Sequence, residues 1–196
     1  MVNNEPSAIG KKPLAVKLRP PLPADGAKVF KLVAASPPLD PNSIYCNLLQ
    51  CSHFSSTSVA AVNNSEELVG FISGYRIPER PETLFIWQVA VASQGRGQGL
   101  ATRMLNDILQ RQGGEVTALE TTITESNQAS WSLFKGMAKK LSVPLNTTVM
   151  FDRKQHFHGA HETEMLVRIG PFSIPEKQAT SGGPQTYGQT PRVNSL

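Results

Sequence analysis

Gln94-Gly95-Arg96-Gly97-Gln98-Gly99-Leu100-Ala101 joins an apolar, β-branched and aromatic run, Thr83 to Val91, to a segment of helical period over residues 98–112. In that segment Leu100, Met104 and Ile108 share one face, with Ala101, Leu105 and Leu109 beside them. The spacing predicts a strand, a glycine-rich turn and a helix in succession. Glycines admit positive φ and leave no Cβ in the path of a ligand. Exposed N–H groups and the helix N-terminal dipole then form an anion site suited to a pyrophosphate. A Walker A loop needs Gly-Lys-Ser or Gly-Lys-Thr at its end, whereas Leu100-Ala101 follows Gly99. A GxGxxG dinucleotide fingerprint fails at Thr102, and the chain is short for a separate substrate domain. A glycine-rich connector without a ligand is the plain alternative, and the strand-turn-helix context weighs against it.

Outward from the turn, strands and helices alternate. Ala15 to Arg19 reads as a short strand halted by Pro20-Pro21, and Ala24 to Ala35 as a helix. Asn42 is placed as the N-cap of a second helix running to about Gln50. Thr57 to Val62 and Leu68 to Arg76 predict two strands joined by the polar turn Asn63-Asn64-Ser65-Glu66. After the turn-helix unit, Val116 to Thr124 reads as a strand and Asn127 to Lys140 as a helix. Thr147 to Phe151 and Thr163 to Ile169 supply the last strands. This order predicts an α/β (α+β) single domain, a mixed central sheet flanked by helices, over residues 15–172. Residues 1–14 are expected to be a flexible N-terminal segment. Residues 173–196, rich in Ser, Thr, Gly, Pro and Gln, are expected to be a disordered tail.

Composition narrows the function. The 196 residues carry 19 Lys and Arg against 15 Asp and Glu, a net charge of +4 with no basic stripe. That pattern argues against a nucleic-acid partner. No run reaches the roughly 18–20 apolar residues of a membrane span, and Met1 to Pro13 has no signal-peptide core. Cys46 and Cys51 form neither a CxxC pair nor a zinc quartet, so they are expected to be reduced, in a cytoplasmic protein.

The motif Q/R-x-x-G-x-G/A, met by Gln94, Gly97 and Gly99, resembles the acetyl-CoA pyrophosphate loop of the GNAT N-acetyltransferases. The resemblance covers about residues 15 to 169. It implies the GNAT fold, acetyl-CoA as co-substrate and a loop contact spread over Gln94, Gly95, Arg96, Gly97, Gln98, Gly99, Leu100 and Ala101. It further implies that the preceding strand, at Val89, Ala90 and Val91, splays from its neighbour and pairs with pantetheine. In the family's N-x-x-A/S-x-x-L-Y pattern, Asn127, Ser130 and Leu133 match, and Asn127 is implied to meet the pantetheine arm. Phe134 stands where the family's thiol-protonating Tyr would be, so the thiolate proton must come from elsewhere or from solvent.

Three further stretches, Ser36-Pro-Pro-Leu-Asp40-Pro-Asn42-Ser-Ile-Tyr45, Ile86-Trp87-Gln88-Val89 and His158-Gly-Ala-His161-Glu162-Thr-Glu164-Met-Leu166, resemble the L-2,4-diaminobutyrate acetyltransferases of ectoine biosynthesis. The implied reaction moves acetyl to the 4-amino group of L-2,4-diaminobutyrate, in a homodimer. A substrate with two ammonium groups and one carboxylate calls for a site with excess anionic groups. Asp40, Tyr45 and Trp87 are the candidate substrate contacts beside Glu164. Their plain readings are a helix-start carboxylate for Asp40 and packing for the two rings. Glu164 is the first candidate for general base or ammonium anchor and His161 the second. The His156-to-Glu164 stretch lacks HExxH, so no metal is expected. Another small amine as acceptor, or acyl-CoA sensing without catalysis, are the competing readings.

Overall fold

The computed structural model describes residues 14–37, 39 and 41–174. Strand β1 (Val16–Arg19) leads through a single 3-10 turn into helices α1 (Gly26–Ala34) and α2 (Ile44–His53). Strands β2 (Val59–Asn63), β3 (Leu68–Ile77) and β4 (Arg80–Val91) form a meander after them. Helix α3 (Leu100–Gln112), β5 (Ala118–Thr124), α4 (Gln128–Leu141), β6 (Leu145–Phe151) and β7 (Glu164–Ile169) complete the chain. The sheet order is β1-β2-β3-β4-β5-β7-β6. Every pairing is antiparallel except β4 with β5. That parallel pair requires a crossover, and α3 supplies it. The sheet is therefore mixed and flanked by helices, as the element order predicts.

Local chemistry sets the boundaries. Gly99 adopts φ +68°, a left-handed conformation that starts α3 at Leu100 rather than at residue 98. Ser43, not Asn42, caps α2: its hydroxyl accepts the Cys46 N–H at 3.1 Å. Asn42 is thereby released, and its amide donates to Gln88 Oε1 at 3.0 Å. Asn127 does cap its helix, accepting the Ser130 N–H at 3.1 Å.

Two apolar clusters sandwich the sheet. Leu84, Ile86, Leu119, Ile123 and Val167 pack with Met104, Leu105, Ile108, Phe134 and Met137 of α3 and α4. On the opposite face Phe71 and Ala90 pack with Val29, Val33 and Cys51 of α1 and α2. Phe172 and Ile174 join the first cluster, so packing extends two residues beyond 172. The rest of the C-terminal tail and residues 1–13 lie outside the described residues.

Two departures from a regular sheet open the molecule at its centre. Ser73 pairs with Gln88 and Gly74 with Ile86, which leaves Trp87 as the extra residue of a β-bulge. The bulge puts the rest of β4 out of phase with the residues before it. Ile86, Val89 and Val91 all pack toward α3 and α4, and Ala90 packs the other way. Pairing of β4 with β5 stops after Phe85 and Glu120. Beyond that point β4 stays with β3 while β5 stays with β7, and a gap opens between them.

Candidate active site

A cleft of about 500 Å³ lies over the glycine-rich turn, on the first side of the gap. Gly95, Arg96, Gly97, Gly99, Leu100 and Ala101 line it, with Val89 and Val91 of β4 and Asn127 and Ser130 of α4. Gly97 and Gly99 take φ +74° and +68°, and a Cβ at either would enter open space. Glycine is required there for the backbone conformation, and the space its missing side chain leaves belongs to the cleft. Gly95 is different: a Cβ there would come within 3.1 Å of Leu100 and 3.2 Å of Val91. The N-terminus of the thirteen-residue α3 points its unpaired N–H groups at this space. These residues fit a pyrophosphate.

Neighbouring polar groups hold the turn. Arg96 Nε donates to the Val91 carbonyl at 3.0 Å, which leaves its two terminal nitrogens for an anion. Gln98 is a brace: its amide donates to the Gln94 carbonyl and accepts the Leu14 N–H, both at 2.6 Å. Gln94, Gln98 and Ala90 do not line the cleft; Ala90 is buried in the core. The Ala92 N–H donates to Val69 on β3 at 2.9 Å. By the alternation of a strand, the peptide groups of Val89 and Val91 therefore face the gap.

A second cleft, about 460 Å³, lies on the far side of Val89. Trp87, Gln88, Asn42, the threonines of β5 and Phe134 wall it, and Glu162, Glu164 and His161 stand at its acidic end. Val89, Asn127, Ser130 and Leu39 line both clefts, so the two meet there. Glu164 opens β7 with its side chain only 19% exposed, and His161 Nε2 lies 4.0 Å from its Oε1. His161 Nδ1 is within 2.9 Å of the Glu162 carbonyl, and Glu162 accepts the Ser126 hydroxyl at 2.9 Å. Trp87 is half-exposed at the bulge, one edge in a ring cluster with Phe54 and Tyr75. Tyr45 is two-thirds exposed on α2 and lines neither cleft. Asp40 lies outside the described residues. Among the described residues no group of three or more His, Cys, Asp or Glu is arranged to hold a metal ion.

Sequence reasoning missed Gln88, Asn42 and the β5 run Thr121 to Thr124. One signal was available: Gln88 is the single amide in the apolar strand 83–91, and a polar side chain there needs a partner. The Asn42–Gln88 bond is that partner.

Residues 29–138 match the model of the acetyltransferase (GNAT) family. The chain is 59% identical over 158 residues to the L-2,4-diaminobutyric acid acetyltransferase of Methylotuvimicrobium alcaliphilum, covering 80% of this chain and 91% of that protein. It is 49% identical over 152 residues to the protein of the same name from Vibrio parahaemolyticus, covering 77% and 83%. Among solved structures, the diaminobutyrate acetyltransferase EctA of Paenibacillus lautus, in complex with its substrate L-2,4-diaminobutyric acid and coenzyme A, superposes with a TM-score of 0.77 at 40% identity. That match covers 84% of this chain and 99% of the other.

Proposed function

This chain belongs to the acetyltransferase (GNAT) family, and we propose that it transfers acetyl from acetyl-CoA to the 4-amino group of L-2,4-diaminobutyrate, giving N4-acetyl-L-2,4-diaminobutyrate and CoA in ectoine biosynthesis. The observation that carries this reading is the meeting of two chemically distinct clefts at Val89, Asn127 and Ser130. One is built for a pyrophosphate and the other has carboxylates at its end. A thioester entering from the first meets an amine held in the second.

The co-substrate supplies an activated acetyl group. The protein supplies orientation, charge and proton transfer. The reacting amine arrives as an alkylammonium with a pKa near 10.4, so it must lose a proton to attack. In this reading Glu164 takes that proton directly or through a water, which its partial burial in the second cleft with His161 beside it supports. Glu162 and Glu164 together match the excess positive charge of a diamine. As the C–N bond forms, charge develops on the thioester oxygen, and the gap-facing N–H of Val89 is positioned to stabilise it. The C–S bond then breaks and sulfur leaves as thiolate. Phe134 is 2% exposed in the core at the edge of the second cleft and has no hydroxyl to offer. The thiolate is therefore protonated by water or by the substrate nitrogen, which sheds its second proton as the amide forms.

Incubation with acetyl-CoA and a panel of amines, with thiol release as the readout, tests the reading. Release with 2,4-diaminobutyrate far above that with putrescine or lysine is expected. Preference for another amine would assign a different acceptor, and CoA binding without turnover with any amine would make the chain a sensor. The reading extends to a cytoplasmic homodimer active under osmotic stress. Val149, Met150 and Phe151, each at least 39% exposed on the edge strand β6, support a docking face for a second copy.

A further inference from the structure

The gap between β4 and β5 begins at a defined atom. Phe85 and Glu120 are the last paired residues, and Ile86, the next residue of β4, lies beyond the ladder. Its carbonyl is not left bare: the Thr121 hydroxyl donates to it at 2.9 Å. Thr121 is 5% exposed and Ile86 1%, so this bond is largely buried at the wall of the second cleft. A side chain thus takes the acceptor where the strands part. Ile86 is also the residue immediately before the bulged Trp87, and Gln88 and Val89 come directly after Trp87. On the other edge of the same segment, β3 pairs with Ile86 through Gly74 and with Gln88 through Ser73. Gly74 has no room for a side chain, since a Cβ there would lie 2.8 Å from the Phe85 carbonyl. The bulge is therefore held from both edges at its first residue.

We propose that the Thr121 hydroxyl is a positioning group for acetyl transfer: it fixes the Ile86 carbonyl, and through it the bulge that presents Trp87 to one cleft and the gap-facing peptide of Val89 to the junction of both. Thr121 lines the second cleft, but its hydroxyl is committed to the Ile86 carbonyl and acts through the β4 backbone. Its hydroxyl fills the role that the next ladder bond would fill if the strands stayed together. A valine there would leave a buried carbonyl without a donor, and the segment 86–89 would be free to shift. Reaction rates are sensitive to displacements of about 1 Å, while the glycine-rich turn, several residues away on the far end of β4, keeps its own bonds.

The test compares Thr121→Val, Thr121→Ala and Thr121→Ser in the full chain. The kinetic readout presupposes acetyl transfer to diaminobutyrate, whereas amide hydrogen exchange over residues 86–91 does not. Thr121→Val and Thr121→Ala are expected to lower kcat at least about tenfold with little change in the KM for acetyl-CoA. Exchange over 86–91 should speed up while exchange within α3 stays as it was, and Thr121→Ser should recover both. The alanine variant adds no bulk, so it decides the matter if the valine variant does not fold. Wild-type kcat in the alanine variant, a serine variant as impaired as alanine, or unchanged exchange over 86–91 would overturn the proposal. A wild-type protein inactive on diaminobutyrate would overturn the functional reading instead, and the exchange result would still decide the role of Thr121.

Discussion

Glu164 occupies the first position of β7, where its side chain is 19% exposed and borders the second cleft. Two roles fit a carboxylate there, proton acceptor and ammonium anchor, and substitution by glutamine separates them. If Glu164 takes the amine proton, Glu164→Gln should lower kcat by about 10²–10⁴-fold and flatten the alkaline rise of the pH–rate curve. If it only anchors an ammonium, the same substitution should raise the KM for the diamine and leave kcat near wild type. Steady-state kinetics across pH distinguishes the two. The thiols behave differently. Burial pushes the Cys51 thiol up to about 12, and burial also raises that of Cys46. Cys51 is fully buried against α1 and the sheet. Neither cysteine is suited to carry an acyl group, which agrees with direct attack by the amine.

In the proposed function the turn between β4 and α3 binds as an element rather than through one residue. Gly97→Val or Gly99→Val should abolish acetyl-CoA binding in a protein that still folds. Each forces a β-branched side chain into a left-handed conformation, at a cost of about 1–3 kcal/mol, and fills the cradle with carbon. Calorimetric titration with acetyl-CoA, beside a melting curve, checks this; undiminished affinity in a folded variant would remove the turn from the cofactor site. This element was legible from sequence because glycine spacing and helical period are local properties. The bulge at Trp87 was not. It depends on the register between β3 and β4, and the alternation of residues 83–91 gives no sign that one residue drops out of phase. The bulge sets the parity that turns the Ala90 side chain into the core while Val89 and Val91 reach the cleft. The capping of α2 shows the same limit. Asn42 and Ser43 are both competent caps, and only the bond from Asn42 to Gln88, 46 residues away, decides between them.

Across the whole molecule, two buried carboxylates are held by arginines: Glu120 ties β4, β5 and β7 together, and Asp25 pins the turn before α1 to the end of β1. Burial raises the pKa of Glu120, but hydrogen bonds from Arg80 on β4 and Arg168 on β7 outweigh it and hold the carboxyl below its ordinary value. Asp25 is held down in the same way, burial being outweighed by Arg19 and the Leu22 N–H. A depressed folded-state pKa contributes stability that is present above the ordinary carboxylate value and is lost as the pH falls through the lowered one. Thermal stability should therefore drop below about pH 4. Glu120→Gln should cost about 1.5–3 kcal/mol at neutral pH, with a smaller difference from wild type at pH 3. Parallel pH profiles for the two proteins would count against the ion cluster as the cause. The central claim concerns the two clefts acting together, with the glycine-rich turn holding the donor and the acidic cleft presenting one amine of the acceptor. NMR of the protein incubated with carbonyl-labelled acetyl-CoA and L-2,4-diaminobutyrate reports which nitrogen receives the acetyl group. A single product acetylated at the 4-amino group is predicted; acetylation at the 2-amino group, or no labelled amide at all, would contradict the assignment.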